Sequence, residues 1–223
     1  MPNLALVGYG KMGRMIDQFA PEYGFTVTAR VDIDRDEPLD NADVAVEFST
    51  PNAVLSNIKK LAARRIPTVV GTTGWLNHLN EARQIIEENG TALIWSPNFS
   101  IGVNVFERVV AEAARLLKDE KEYGAWAWEI HHITKKDAPS GTLLKLVETM
   151  KNAGYHRDIN VSSNRAGAHP GTHEVGFDSA ADTITLRHIA RSREGFARGA
   201  LKAAQWIVGR KGFYEFKEAL FGS

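Results

Sequence analysis

Leu4-Ala-Leu-Val-Gly-Tyr-Gly-Lys-Met-Gly13 decides the fold class. A short apolar run ends in Gly8-x-Gly10-x-x-Gly13, and a helical pattern follows as far as Ala20, where Pro21 stops it. The three glycines permit a tight turn, close approach of a pyrophosphate, and packing of the helix on the strand. A second strand, residues 25–31, ends at Asp32, an acid placed to bond an adenosine ribose. Glycine spacing alone is weak evidence. Strand, helix and acid in this order make it a dinucleotide fingerprint, with Gly8, Tyr9, Gly10, Lys11, Met12, Gly13 and Asp32 as candidate cofactor-binding residues.

Working outward, residues 42–48 read as a third strand, after which Ser49-Thr50-Pro51 reads as a helix start with proline in the first turn. Residues 67–70 form a fourth strand running into Gly71-Thr-Thr-Gly74, and residues 92–95 a fifth running into Ser96-Pro-Asn-Phe99. Strands alternating with helices predict a Rossmann-type, doubly wound parallel sheet. Ligands of such sheets bind at the carboxyl ends of the strands. Gly71, Thr72, Thr73, Ser96, Pro97, Asn98 and Phe99 therefore join the cofactor-binding candidates, although either loop alone is ordinary turn chemistry.

Beyond Ser100 the pattern changes. Residues 103–117 form a long helix with apolar positions at Val103, Phe106, Val109, Val110, Ala113 and Leu117. Strand-like runs follow at 125–132, 159–164, 173–178 and 182–189, which predict an α+β domain with a mainly antiparallel or mixed sheet. A last helix, residues 200–208, is expected to pack back on the first domain. The expected domains are 1–99, completed by about 195–223, and 100–194.

The densest chemistry lies in Glu129-Ile-His-His-Ile-Thr-Lys-Lys-Asp-Ala-Pro-Ser-Gly-Thr142, where a strand gives way to a helix. A helix opening on Ser-Gly-Thr offers N–H groups and hydroxyls to an anion such as a carboxylate. Histidine beside it supplies a proton donor near neutral pH, and lysine a fixed positive charge. Adjacent strand residues face opposite ways, so His131 and His132 have different roles unless the strand ends between them. Either histidine alone reads equally well as a hydrogen-bonded structural residue, and a lone lysine as a solvated charge. His169 and His173 have a helical ligand spacing, but Pro170 and Gly171 between them forbid the helix, and no metal site is expected.

Composition narrows the class. The chain has 223 residues, 43% of them hydrophobic, enough for a real core. Lys+Arg and Asp+Glu both count 27, so no net charge favours nucleic acid or an anionic membrane surface. Without cysteine there is no disulfide, thiolate metal site or cysteine nucleophile. Met1-Pro-Asn-Leu-Ala-Leu-Val7 lacks the basic start of a signal peptide, and no apolar run approaches membrane-spanning length. A cytoplasmic protein is expected.

These motifs together resemble the dihydrodipicolinate reductase (4-hydroxy-tetrahydrodipicolinate reductase) family over essentially the whole chain. The resemblance runs through the glycine loop, Glu47-Phe-Ser-Thr-Pro51, Gly71-Thr-Thr-Gly-Trp75 and Ser96-Pro-Asn-Phe-Ser-Ile-Gly-Val-Asn104. It continues through His131-His-x-x-Lys135-x-Asp-Ala-Pro-Ser-Gly-Thr142, Arg165-Ala-Gly167, Gly171-Thr-His-Glu174 and Arg193-x-x-Phe-Ala-x-Gly199. It implies reduction of a small cyclic dicarboxylate by NADH or NADPH, on the diaminopimelate route to lysine. It further implies His131 as proton donor assisted by Lys135, with His132, Ser140, Gly141 and Thr142 binding substrate carboxylates and Arg193 as a further carboxylate candidate. The second domain would then bind substrate and build a homotetramer through its sheets.

The chain departs from the family in two places. The segment between Asp32 and Ala42 is short, which bears on loop geometry. The glycine loop lacks an extra residue and an arginine before the methionine, which bears on cofactor preference. Asp32 would repel a 2′-phosphate while Lys11 and Arg35 would attract it, so both cofactors are expected to work, with NADH moderately preferred. The residues alone also admit a related reductase of another small dicarboxylate, or a nucleotide-sensing module without turnover.

Overall fold

The computed structural model describes residues 1–222. In chain order the first elements are β1 (Asn3–Val7), α1 (Lys11–Phe19), β2 (Thr26–Asp32), β3 (Arg35–Asp36), β4 (Val44–Glu47), α2 (Val54–Ala62), β5 (Thr68–Val70), α3 (Leu79–Asn89) and β6 (Ala92–Trp95). Then come α4 (Ile101–Leu117), β7 (Gly124–His131), α5 (Gly141–Asn152), β8 (Ile159–Arg165), β9 (Thr172–Asp178) and β10 (Thr183–Ile189). The chain closes with α6 (Glu194–Ile207), β11 (Gly212–Glu215) and α7 (Phe216–Phe221). These group into two units, Met1–Ile101 with Glu194–Ser223, and Gly102–Arg193.

The first unit holds a seven-stranded sheet in the order β11-β6-β5-β4-β1-β2-β3. Its pairs are parallel except β2–β3. Strands β4 and β5 are buried along their whole length, as apolar runs covered on both faces should be. One face packs Leu4, Leu6, Val46, Val69 and Ile94 against Ala200, Leu201, Ala204 and Ile207 of α6. The other packs Val70 and Leu93 against Val54 and Ile58 of α2 and Ile86 of α3. Strand order reverses at β1, where β2 lies on one side and β4 on the other, so a ligand crevice opens beyond their carboxyl ends.

In the second unit the sheet order is β10-β9-β7-β8. The mixed sheet arises because α5 carries the chain between β7 and β8 as a crossover, making that pair parallel, while β9 is antiparallel to both β7 and β10. Helix α4 contributes Phe106, Val110 and Ala114, and α5 contributes Leu143, Leu146 and Met150, to a core completed by Ala125, Ala127, Val175 and Phe177.

Several boundaries differ from the sequence reading. Helix α2 opens at Val54, after a turn at 51–53, so Pro51 precedes the helix instead of entering its first turn. Pro21 sits inside a 3-10 turn, Ala20–Tyr23, that continues α1. Helix α6 begins at Glu194, six residues before the expected start. Strands β3 and β11 and helix α7 are too short to stand out as patterns, and the pairing of β11 with β6 is what makes it a strand. No helix among the described residues is long and apolar enough to cross a membrane.

Candidate active site

Sheet register builds the polar centre of the second unit. Glu129 on β7 pairs with His173 on β9 and with Ser163 on β8, while His131 pairs with Arg165. Along β7, Ala125, Ala127, Glu129 and His131 alternate onto the buried face. Glu129 is fully buried, and a buried carboxylate must find donors. Its Oε1 accepts from the Ser140 N–H at 2.8 Å, Arg165 Nη2 at 2.9 Å and Ser163 Oγ at 3.1 Å. Its Oε2 accepts from the Ser140 hydroxyl and faces His173 Nε2 at 3.3 Å and His131 Nδ1 at 3.4 Å.

Burial would push the Glu129 carboxyl up, but hydrogen bonds from His173, Ser140 and Arg165 outweigh it and hold the group well below the usual carboxylate range. Glu129 is therefore a fixed negative charge. Burial pushes His131 down to about 4; the Glu129 charge opposes this, and His173, Lys135 and Arg165 reinforce it. At rest His131 is neutral at pH 7. Its Nδ1 is buried without a hydrogen-bond partner. Glu129, His131 and His173 bring possible ligand atoms within 4.8 Å of one another, but the Arg165 guanidinium already neutralises the carboxylate, and the cluster is built as a hydrogen-bonded ion-pair network.

Strand β7 ends at His131, so His132 starts the turn instead of opposing it across the strand. Its Nδ1 lies 2.7 Å from Thr134 Oγ1. Lys135 Nζ donates to both oxygens of Asp137, at 2.8 and 2.9 Å. Arg165 donates to the Asp137 carbonyl, tying this loop to the end of β8. Ser140 caps α5, accepting from the Leu143 N–H at 3.2 Å. It is 2% exposed and its hydroxyl is turned inward onto Glu129, so the outward groups of the Ser-Gly-Thr turn are those of exposed Gly141 and half-buried Thr142. Arg193 is exposed where the chain leaves this unit.

In the first unit the loops after β1, β4 and β5 fit closely. A Cβ on Gly8, whose φ is +91°, would lie 2.1 Å from the Phe48 carbonyl oxygen, and one on Gly13 would lie 2.2 Å from the Gly8 oxygen. A Cβ on Gly71 would meet the Phe48 ring at 2.0 Å. Gly10, by contrast, faces open space at the start of α1, which no side chain caps. Backbone N–H groups there suit a pyrophosphate. Asp32 Oδ2 accepts from the Tyr9 N–H at 2.8 Å, which sets the acid beside the glycine loop. A dinucleotide therefore fits these residues.

The outlying candidates divide. Lys11 is exposed and Met12 packs on the core, both on the first turn of α1. Thr72 Oγ1 accepts from the Ser49 N–H at 2.7 Å, while Thr73 is exposed. Ser96 and Asn98 brace their own turn, Ser96 Oγ donating to the Asn98 carbonyl at 2.8 Å beside exposed Pro97. Phe99 is 2% exposed, its ring centroid 4.8 Å from that of Phe216, so it supports the loop from beneath.

Sequence reasoning assigned no role to Glu129, Arg165 or His173, although all lie in motifs it singled out. It also missed Glu47, buried at the end of β4, where burial pushes its carboxyl up against hydrogen bonds from Ser49, Thr72 and Asn57. Around the Tyr9 ring stand Arg14, Arg30 and Arg35, their guanidinium carbons 5.9, 5.8 and 5.4 Å from its centroid.

Comparison with known proteins gives one answer across the chain. The family model described as dihydrodipicolinate reductase, N-terminus, matches residues 2–99, and that described as dihydrodipicolinate reductase, C-terminus, matches residues 102–220. The chain is similar to the 4-hydroxy-tetrahydrodipicolinate reductase of Christiangramia forsetii, at 36% identity over 98% of this chain and 97% of that protein. It is similar also to the one from Thermosipho africanus, at 38% identity over the same shares. A solved dipicolinate-bound dihydrodipicolinate reductase from Paenisporosarcina sp. TG-14 shares the fold, with a TM-score of 0.82 at 21% identity over 99% of both chains. Fold, fingerprint and full-length similarity agree, and the chain belongs to the dihydrodipicolinate reductase family.

Proposed function

We propose that the protein reduces 4-hydroxy-tetrahydrodipicolinate to tetrahydrodipicolinate with NADH or NADPH, in the cytoplasm, as a homotetramer. The observation that carries the reading is the junction of β7 and α5. There a buried imidazole beside a fixed carboxylate stands next to Lys135 and the outward Gly141 and Thr142 at the start of a helix. Exposed Val161, Ile184 and Ile189 on β8 and β10 support assembly through the sheet of the second unit.

The glycine loop, Asp32 and the loops after β5 and β6 would hold the cofactor. When bound, its reduced nicotinamide supplies hydride to one carbon of the conjugated ring. The chain's own residues do the rest. Gly141 and Thr142 at the α5 N-terminus, with His132, would bind the substrate carboxylates through N–H and hydroxyl donors. Lys135 would bring a positive charge to the developing negative one. His131, neutral at rest, would take a proton when the dicarboxylate's charge arrives and then release it to the ring.

Initial rates of NADH and NADPH oxidation, with and without added substrate, test this. Oxidation should require the cyclic substrate, and His131→Ala and Lys135→Ala should each lower turnover about a hundredfold while cofactor binding persists. Near-normal turnover in both variants, or equal rates with unrelated dicarboxylates, would overturn the reading.

A further inference from the structure

We propose that Glu129 is a positioning residue: its clamped carboxylate turns His131 so that Nδ1 faces inward and Nε2 is presented to substrate. This rests on His131 being the proton donor, and goes beyond it by naming what aims and charges the ring.

The two residues stand two apart on β7 and so share a face. Glu129 cannot swing away, because Ser140, Ser163 and Arg165 occupy the lone pairs of its other oxygen and the N-cap of α5 closes over it. The ring of His131 is confined as well. His173 meets it edge-on, with centroids 5.1 Å apart at 72°. Gly171 lies against the opposite nitrogen, where a Cβ would come within 2.9 Å of Nε2. A carboxylate only accepts hydrogen bonds and a neutral imidazole has one N–H. Nδ1 makes no hydrogen bond in this geometry, but it faces Oε2 at 3.4 Å, and the carboxylate charge favours the proton of the neutral ring on Nδ1. Nε2 then takes up and releases the second, transferable proton.

The charged and titratable groups facing His131 are Glu129 from its own strand, Lys135 from the following loop, Arg165 from β8 and His173 from β9. Only Glu129 among these favours the cationic ring. A carboxylate needed for the fold alone would be satisfied by Ser140, Ser163 and Arg165; its second oxygen accepts from the Ser140 hydroxyl and in addition faces two imidazoles.

Glu129→Gln in the full-length, cofactor-bound enzyme tests the proposal, because the amide keeps the shape and loses the charge. Michaelis constants should change little, while kcat falls by about tenfold to a hundredfold. The limb of the kcat pH profile that reports the charged imidazole should move to lower pH. A folded Glu129→Gln enzyme with an unchanged limb would overturn the proposal. Nitrogen-15 NMR of the wild type, with His131 identified by its loss in His131→Gln, decides without any folding question about the Glu129 variant. The neutral ring should carry its proton on Nδ1, and a proton on Nε2 would equally overturn the idea. Full turnover in His131→Ala would instead remove the proton-donor reading on which it rests.

Discussion

Gly171→Ala should disable the enzyme through a clash at one nitrogen. Gly171 has a φ of +143°, a conformation that residues with a side chain rarely adopt, and holding alanine there costs about 1–3 kcal/mol. The new methyl carbon would lie 2.9 Å from His131 Nε2 and 3.0 Å from Cδ2, whereas ordinary contact begins at 3.4 Å. The ring must retreat by the difference, about 0.5 Å, from its place in the site. A protein of this size loses about 2–4 °C of melting temperature per kcal/mol, so Tm should fall by about 2–12 °C. A misplacement of 1 Å costs on the order of a hundredfold in rate, and half of that about tenfold in kcat. Thermal melts and steady-state kinetics measure both quantities. Gly167→Ala is the control, since its φ of +51° is also strained but nothing lies within 4 Å of its Cβ. It should lose stability and keep kcat. Equal kcat losses in the two variants, or none in Gly171→Ala, would refute the reasoning.

Three more expectations follow from the same geometry. NADH should be preferred over NADPH by roughly 1 kcal/mol in the ratio of kcat/KM, because Asp32 faces the glycine loop while Arg14, Arg30 and Arg35 gather nearby. Asp32→Ala should erase that preference, and a strong NADPH preference untouched by the substitution would mean the acid does not face the ribose. Pyridine-2,6-dicarboxylate should compete with substrate, and Thr142→Val should raise its inhibition constant; an unchanged constant would remove Thr142 from the carboxylate site. Between pH 6.5 and about 4 an unfolded His131 takes a proton that the folded ring refuses, so stability should drop as pH falls across that window by up to about 3 kcal/mol. Denaturant unfolding at several pH values would read this, and His131→Gln should flatten the curve.

The nucleotide half of the fold was legible because its signals are local. Gly8, Gly10 and Gly13 sit within one turn, and the strand before them and Asp32 after them are close in sequence. His131 and Lys135 stood out as candidates for the same reason, being four residues apart. The partners of His131 were not, because register assembles them: Arg165 and His173 lie far along the chain and arrive as cross-strand neighbours on β8 and β9. Glu129 did leave a trace, an acid at the inward position of an alternating strand between Ala127 and His131, where an unpaired charge would be prohibitive. Ser140 looked like an outward anion ligand because helix caps are read from sequence without knowing what lies behind them. Strands β3 and β11 had too few residues to show a period, and only their neighbours make them strands.

The division of the chain also sets an order of events during synthesis. Unit two is continuous, Gly102–Arg193, and its sheet and both helices are present once that stretch has emerged. Unit one is not, for Leu4, Leu6, Val46, Val69 and Ile94 wait for α6 to cover them, and the edge of β6 waits for β11. A nascent chain halted before Glu194 would expose the part of that apolar sheet face which α6 covers and α1 does not, a surface prone to aggregation. The half of the protein made first is thus the half finished last, and the slow closure of long-range contacts falls on it.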